Sequence, residues 1–312
     1  MEMIKYIKNL QLLYTDQTKG YIMIFMAGAL WGTIGYFVKN LTGFGASSEL
    51  TAFMRLFMGF WILAFVMICK GGISMFKIDK SGLIYCMALG LLTQAMFNYL
   101  YNMSIGRVGV ATASILLYTS PVFVCAMSSV LFKENINKQK VIALILNIFG
   151  CFLMVTGGSV ANLKLSFIGI ILGLISAFLY SLVSIIGKIT SSSIHPFTIV
   201  FYSFLFGWLS LGAYIRPWDT IIAVSSVEFW TYSFGFGLIP TVGAYLLYMG
   251  GLTKNLELAR VPIIASVETV VATLLGVFIF RESIGVINTI GMGILILSIA
   301  IMNYKFKQRD NL

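Results

Sequence analysis

Ten apolar runs of about twenty residues each follow one another through this chain, with only short polar connections between them. Twenty residues of helix rise about 30 Å, the thickness of the hydrocarbon core of a bilayer. The runs fall at roughly 20–39, 47–69, 81–104, 108–132, 138–157, 166–188, 196–216, 228–252, 258–280 and 284–304, and are numbered spans 1 to 10. They lack the period-two alternation of a membrane β-barrel. Charged residues make up 10% of the 312-residue chain and hydrophobic ones 59%. A soluble domain carries about 25% charged residues, so this chain has too little polar surface to cover a water-soluble shape. The sequence predicts an all-α membrane protein with ten transmembrane helices and no extramembrane domain between them.

Two of the runs are related. ATASILLYTSPVFVCAMSSVLFKE at 111–134 is echoed 148 positions later by ARVPIIASVETVVATLLGVFIFRE at 259–282. Ala111/Ala259, Ile115/Ile263, Val122/Val270, Phe132/Phe280 and Glu134/Glu282 are identical, and each copy stops on a basic residue followed by Glu. The chain therefore divides into a first repeat at 20–157 and a second at 166–304, flanked by tails at 1–19 and 305–312. Five spans per half is an odd number, so the second half enters the membrane from the other side. The halves are then inverted repeats about a pseudo-two-fold axis in the membrane plane.

The net charge of +10 does not read as a nucleic-acid surface, because Lys and Arg sit between the apolar runs, where they orient a membrane protein. Fifteen of them flank one side and five the other, with Arg55 left inside span 2. This asymmetry predicts both termini in the cytoplasm and the cell membrane as the location. Residues 1–19 carry Lys5, Lys8 and Lys19 without a small-residue cleavage site, and so do not read as a cleaved signal peptide. Ile4, Ile7, Leu10 and Leu13 form either a short amphipathic surface segment or part of a plain tail. Cys69, Cys86, Cys125 and Cys151 form no CxxC, so neither a disulfide framework nor a metal site is indicated. The single histidine, His195, precedes Pro196 at a helix start and reads as a turn or interface residue.

The motifs ALWGTIGYFVK (29–39), FMRLFMGFWIL (53–63), TSPVFVCAMSSVLFKE (119–134) and SVETVVATLLGVFIFRE (266–282), with the glycine-rich span 10, resemble the EamA family of the drug/metabolite transporter superfamily. The resemblance covers nearly the full length. It implies two five-helix EamA repeats, each closing its fourth helix on a Glu-containing stop. It also implies transport, typically export, of amino acids, other small metabolites or drugs. The family's second unit commonly carries Glu-Pro in its fourth helix; this chain has Glu268-Thr269.

Polar groups in hydrocarbon are costly unless they face the bundle interior or a wet cavity. Gln94, Asn98 and Asn102 in span 3 are spaced four apart, as are Ser176, Tyr180, Ser184 and Lys188 in span 6; Thr241, Tyr245 and Tyr248 in span 8 are nearly so. Such stripes line a cavity or bond helix to helix. The expected substrate lining is Trp31, Gln94, Asn98, Tyr118, Ser120, Tyr180, Ser184 and Tyr245. Gly28, Gly32 and Gly35 form a small-residue row that favours close helix packing. Pro121 and Pro240 sit near mid-span, where each frees the carbonyl four residues back, at Leu117 and Phe236; kinks that shape the bundle are the favoured reading over solute contact. Arg55 reads as an anchor that snorkels outward. Glu268 is the one acidic residue deep in a span. It reads as a proton carrier for coupling, as the partner of a substrate amine, or as a structural contact to a Tyr or Asn.

These features predict a secondary transporter that moves a small molecule by alternating access in contact with membrane lipid, with protons as a candidate coupling ion. No GxxxxGK[ST] phosphate loop is present, and no cofactor is called for. A multidrug or nucleoside carrier fits the same features. A membrane-embedded enzyme would require clustered His, Asp or Cys within the bilayer, and a sensor or scaffold would usually carry a soluble module.

Overall fold

The computed structural model describes residues 2–161, 163 and 165–304, with side chains from Asp16 onward. The side chains of Ile4, Ile7, Leu10 and Leu13, on which the amphipathic reading rests, are not described, and the tail at 305–312 lies outside the described residues. Among those described, every regular element is helical. The first half holds α1 (Glu2–Trp31), α2 (Ile34–Gly43), α3 (Ser48–Gly71), α4 (Lys80–Ala88), a π-helix (Leu89–Met96), α5 (Phe97–Leu117), α6 (Ser120–Leu131) and α7 (Lys138–Thr156). The second holds α8 (Phe167–Ser191), α9 (Pro196–Ile215), α10 (Trp218–Val224), α11 (Val227–Phe236), a second π-helix (Gly237–Gly243), α12 (Ala244–Leu252), α13 (Val261–Ala265), α14 (Val267–Phe280) and α15 (Val286–Asn303).

Local chemistry sets the helix starts. Ser47, Asp79, Asn137, Ser166 and Ser226 each accept a bond from the amide three residues on, which satisfies a donor the first helical turn leaves open. His195 caps α9, its Nδ1 accepting from the Phe197 amide at 3.4 Å. Nine helical stretches among the described residues are long and apolar enough to cross a membrane, and Ser120–Leu131 is a shorter apolar helix. One of the nine, Lys80–Leu117, is 38 residues long. Straight, it would reach about 57 Å, nearly twice a bilayer core. It turns at Gly109, whose φ of 78° and ψ of 164° are open only to a residue without Cβ.

Helices from the two halves pack against each other, and the contacts are reciprocal. In the α7–α15 seam a Cβ on Gly150 would stand 2.9 Å from the Gly291 carbonyl oxygen, so the backbones touch. In the same seam Ser298 Oγ donates to the Ala143 carbonyl at 2.8 Å. Position 298 follows 150 by 148 residues and 291 follows 143 by the same interval, so one contact is made twice with the halves exchanged. The π-helices also begin 148 positions apart. The first packs on α9, where a Cβ on Gly90 would meet the Gly207 amide nitrogen at 2.9 Å. The second packs on α3, where a Cβ on Gly237 would meet the Gly59 amide nitrogen at 3.0 Å.

Candidate functional site

Among the described residues, three membrane helices break and restart at a point held by a hydroxyl. α1 gives way to α2 at Gly32-Thr33, where Thr33 Oγ1 donates to the Leu30 carbonyl at 2.7 Å. α5 gives way to α6 at Tyr118-Thr119, where Thr119 Oγ1 donates to the Leu116 carbonyl at 2.6 Å. α13 gives way to α14 at Ser266, whose Oγ donates to the Ile263 carbonyl at 2.6 Å. Every bond runs three residues back, to a carbonyl that the interrupted helix leaves without its usual amide four residues on; at Leu30 and Leu116 the amide of the same threonine also bonds it, at 3.1 Å. Irregular backbone at membrane depth is tolerated where protein satisfies it or where it lines a cavity.

These breaks aim their flanking side chains at one cavity. It is lined from the first half by Trp31, Leu117, Tyr118, Ser120, Pro121, Val124 and Asn147. The second half contributes Tyr180, Val183, Ser184, Tyr248, Pro262, Ala265, Ser266 and Glu268. Trp31 is clamped between Tyr248 and Tyr245, with ring centroids 5.0 and 5.4 Å away. Ser184 Oγ and the Tyr248 hydroxyl are 2.6 Å apart. Asn147 Nδ2 donates to Ser266 Oγ at 2.7 Å, while Asn147 Oδ1 is buried without a partner. Glu268 is partly buried and makes no side-chain hydrogen bond or ion pair among the described residues. The cavity volume is about 30 Å³. A site enclosing a drug-sized ligand needs roughly 300–1,000 Å³, so this is a closed state of any solute site.

Of the residues the sequence singled out, Trp31, Tyr118, Ser120, Tyr180, Ser184 and Glu268 come together here. Gln94, Asn98 and Tyr245 lie outside this lining. Gln94 Nε2 donates to the Tyr245 hydroxyl at 2.7 Å, and Arg55 Nη2 donates to Gln94 Oε1 at 3.3 Å. Asn98 and Asn102 line a separate pocket of about 160 Å³ with Glu49 and Tyr214. Asn98 Nδ2 donates to the Gln94 carbonyl within its own helix, and the Gln94 side chain is taken by Arg55 and Tyr245, so these two members of the stripe are engaged with protein groups. Pro121 lies in the first turn of α6 and kinks no continuous helix. Pro240 lies inside the second π-helix, and the carbonyl it frees, Phe236, accepts from Thr241 Oγ1 at 2.8 Å. In the span 6 stripe, Ser176 bonds its own helix at the Leu172 carbonyl, 2.7 Å away. The sequence reading passed over Asn147 and Ser266. Asn147 was detectable by the rule that flagged Glu268, an amide alone in the apolar run LILNIFGCF. Ser266 carried no comparable signal, because serines are scattered through the spans.

One end of the bundle carries a polar network. Glu134 Oε1 accepts from the Leu258 amide at 2.6 Å and Oε2 from the Ala259 amide at 3.1 Å. Lys140 Nζ, almost fully buried, reaches Glu257 at 3.1 Å and the Asn135 carbonyl at 2.7 Å, and Arg260 Nε bonds Glu257 at 2.8 Å. Burial pushes the Glu257 carboxyl up, but Arg260 and Lys140 together outweigh it and hold the group below its ordinary value. The repeat partner of Glu134 is Glu282, whose side chain makes no corresponding bond among the described residues. Glu282 instead pairs with Lys39 at 2.9 Å, both side chains more than half exposed. An exposed pair of this kind holds little energy.

Comparison with known proteins fits this architecture. The profile described as the EamA-like transporter family matches residues 18–156 and again 167–304. A protein of Archaeoglobus fulgidus named as an uncharacterized transporter is 31% identical over 90% of this chain and 95% of its own length. The uncharacterized inner membrane transporter YicL of Salmonella typhimurium is 22% identical over 93% of this chain and 97% of its own. The pseudopaline exporter CntI of Pseudomonas aeruginosa is 22% identical over 73% of this chain and 76% of its own. A solved crystal structure superposes on 92% of this chain and 96% of its own with a TM-score of 0.73 at 16% identity, which shows a shared fold. The multiple apolar helices and these relatives make the protein a multi-pass membrane protein. One profile matches each half of the chain separately, and the cavity lies where the halves meet: the chain belongs to the EamA-like transporter family.

Proposed function

We propose that the protein is a secondary transporter that carries a small molecule through the cavity around Glu268 by alternating access. The observation that carries this reading is the unequal state of two equivalent carboxylates. Glu134 ties the end of α6 to the start of the helix that leads to Ser266 and Glu268. The reciprocal contact would bring Glu282 onto the amides of Val110 and Ala111, and Glu282 sits on Lys39 instead. Reciprocal halves that differ at their gates are what alternating access requires, because exchanging the two arrangements opens the other face. The turn at Gly109, which divides the Lys80–Leu117 stretch, supports a reading of ten spans, five in each of two inverted halves. The charge asymmetry supports both termini in the cytoplasm and residence in the cell membrane. Export is the direction the pseudopaline exporter supports.

Uptake into proteoliposomes tests the function. Purified protein is reconstituted and offered radiolabelled amines, amino acids and nucleosides. Saturable, protein-dependent uptake of at least one is expected, with loss of uptake in Ser120→Trp, which fills the cavity. Uptake no greater than that of empty liposomes, for a solute shown to bind the purified protein, overturns the reading.

A further inference from the structure

Resting on that reading, we infer that the cavity selects a small organic cation, an ammonium carried on an apolar or aromatic body, over a zwitterionic amino acid. Two acceptors of the lining have no side-chain partner among the described residues, the Glu268 carboxylate and the buried Asn147 Oδ1. The orientation of Asn147 is fixed by chemistry. Ser266 spends its one hydroxyl proton on the Ile263 carbonyl, so it must accept from Asn147, and the Asn147 group facing it is the NH2. Asn147 is fully buried. A buried acceptor without a donor and a carboxylate without a counter-charge are both costly. One ligand group satisfies both at once, an ammonium with several N–H donors and a positive charge.

The rest of the lining agrees. Among the described residues it contains no Lys, Arg or His, so an amino acid's carboxylate would meet no cation there and would share the cavity with Glu268. Arg55 does not line the cavity; its guanidinium bonds Gln94, which in turn holds Tyr245. Trp31, Tyr118, Tyr180 and Tyr248 supply aromatic faces of the kind that attract cations. Leu117, Val124 and Val183 supply apolar surface for the body of the ligand. In its closed state the cavity has room for the head group alone, and the body fits once the breaks at Tyr118-Thr119 and Ser266 shift.

Isothermal titration of the purified full-length protein in a sodium-free buffer tests this. The probes are ethylamine, butylamine and phenethylamine, with 2-phenylethanol as the neutral analogue of phenethylamine and phenylalanine as its carboxylated analogue. Phenethylamine should bind at least ~30-fold more tightly than either analogue, the ratio expected when one partner of a buried charge pair is missing. Glu268→Gln should remove that preference. If the variant does not fold, the three-ligand comparison on the native protein decides by itself. Equal affinity for 2-phenylethanol overturns the inference, and so does unchanged amine binding in folded Glu268→Gln, which would leave Glu268 a coupling or structural role. Phenylalanine binding more tightly than phenethylamine, with the gain lost in Arg55→Gln, would mean a zwitterion site. Saturation by sodium chloride alone, with amines excluded, would mean an inorganic-ion site. Absence of binding by all three amines also overturns it. The two readings fail separately: phenethylamine that binds but is never taken up sinks transport and leaves the class, whereas uptake of phenylalanine without amine binding does the reverse.

Discussion

At the scale of single residues, the glycines of span 1 show how spacing becomes contact. Gly28 and Gly32 lie directly on the backbone of the helix that carries Glu268, against the carbonyls of Ala265 and Glu268 respectively. A Cβ on Gly32 would stand 2.7 Å from the Glu268 carbonyl oxygen, an atom that cannot move aside without disturbing the first turn of α14. Gly35, three residues on, has nothing within 4 Å of its Cβ position. The pair predicts opposite outcomes for one substitution. Gly32→Ala should destabilise the protein by about 1–3 kcal/mol through overpacking. Gly35→Ala should change stability by no more than about 0.5 kcal/mol. Thermal unfolding of the two variants in the same detergent checks both, and equal melting temperatures would remove the argument for a backbone seam at Gly32. The row of small residues was legible in the sequence. Which members touch a neighbour was not, because that depends on where the partner helix crosses.

At the scale of elements, the two π-helices at equivalent positions of the halves are the feature the sequence left most hidden. A π-turn needs a reason to persist, since its hydrogen bonds are poorer than those of an α-helix. In the second copy the reason is visible: Pro240 has no amide to give, and Thr241 Oγ1 takes the carbonyl of Phe236. In the first copy Leu92 stands at the position of Pro240, 148 residues earlier, while Thr93 stands at that of Thr241 and its Oγ1 donates to the Leu89 carbonyl at 2.6 Å. There the wide turn is held by packing on α9 through Gly90. Thr241 is fully buried. Thr241→Val should therefore remove the hydroxyl's bond to the Phe236 carbonyl and cost about 1 kcal/mol, while Thr241→Ser should retain most of the stability. Unfolding midpoints of the three proteins decide it; a valine variant as stable as the native chain would mean that the carbonyl finds another donor.

At the scale of the whole molecule, reciprocity makes a prediction about a conformation that is not the one seen. In a background with Cys69, Cys86, Cys125 and Cys151 replaced, two cysteine pairs are introduced separately. Glu134→Cys with Leu258→Cys should form a disulfide at once on mild oxidation, because the parent residues already touch. Val110→Cys with Glu282→Cys should form one more slowly, as the alternate arrangement is visited and trapped. Each cross-link should stop transport and its reduction should restore it, read by gel shift and by uptake. A Val110/Glu282 pair that never cross-links in an otherwise active protein would remove the exchange of gates.

The sequence by itself determined that the chain is helical and embedded in a membrane, because apolar runs of bilayer length leave the backbone only one way to satisfy its amides and carbonyls there. It also carried the duplication and the isolation of Glu268, since both are matters of order along the chain. Tertiary structure decided which polar residues share a space. Asn147 on α7 joins Ser266 and Glu268 at the α13–α14 break, whereas Gln94 turns to Tyr245 and Asn98 to a different pocket. Helical periodicity assigns a face only while the turn stays at 3.6 residues, and a π-turn or a break resets it. The site is built at those resets, where packing between the halves overrides the local preference of the chain.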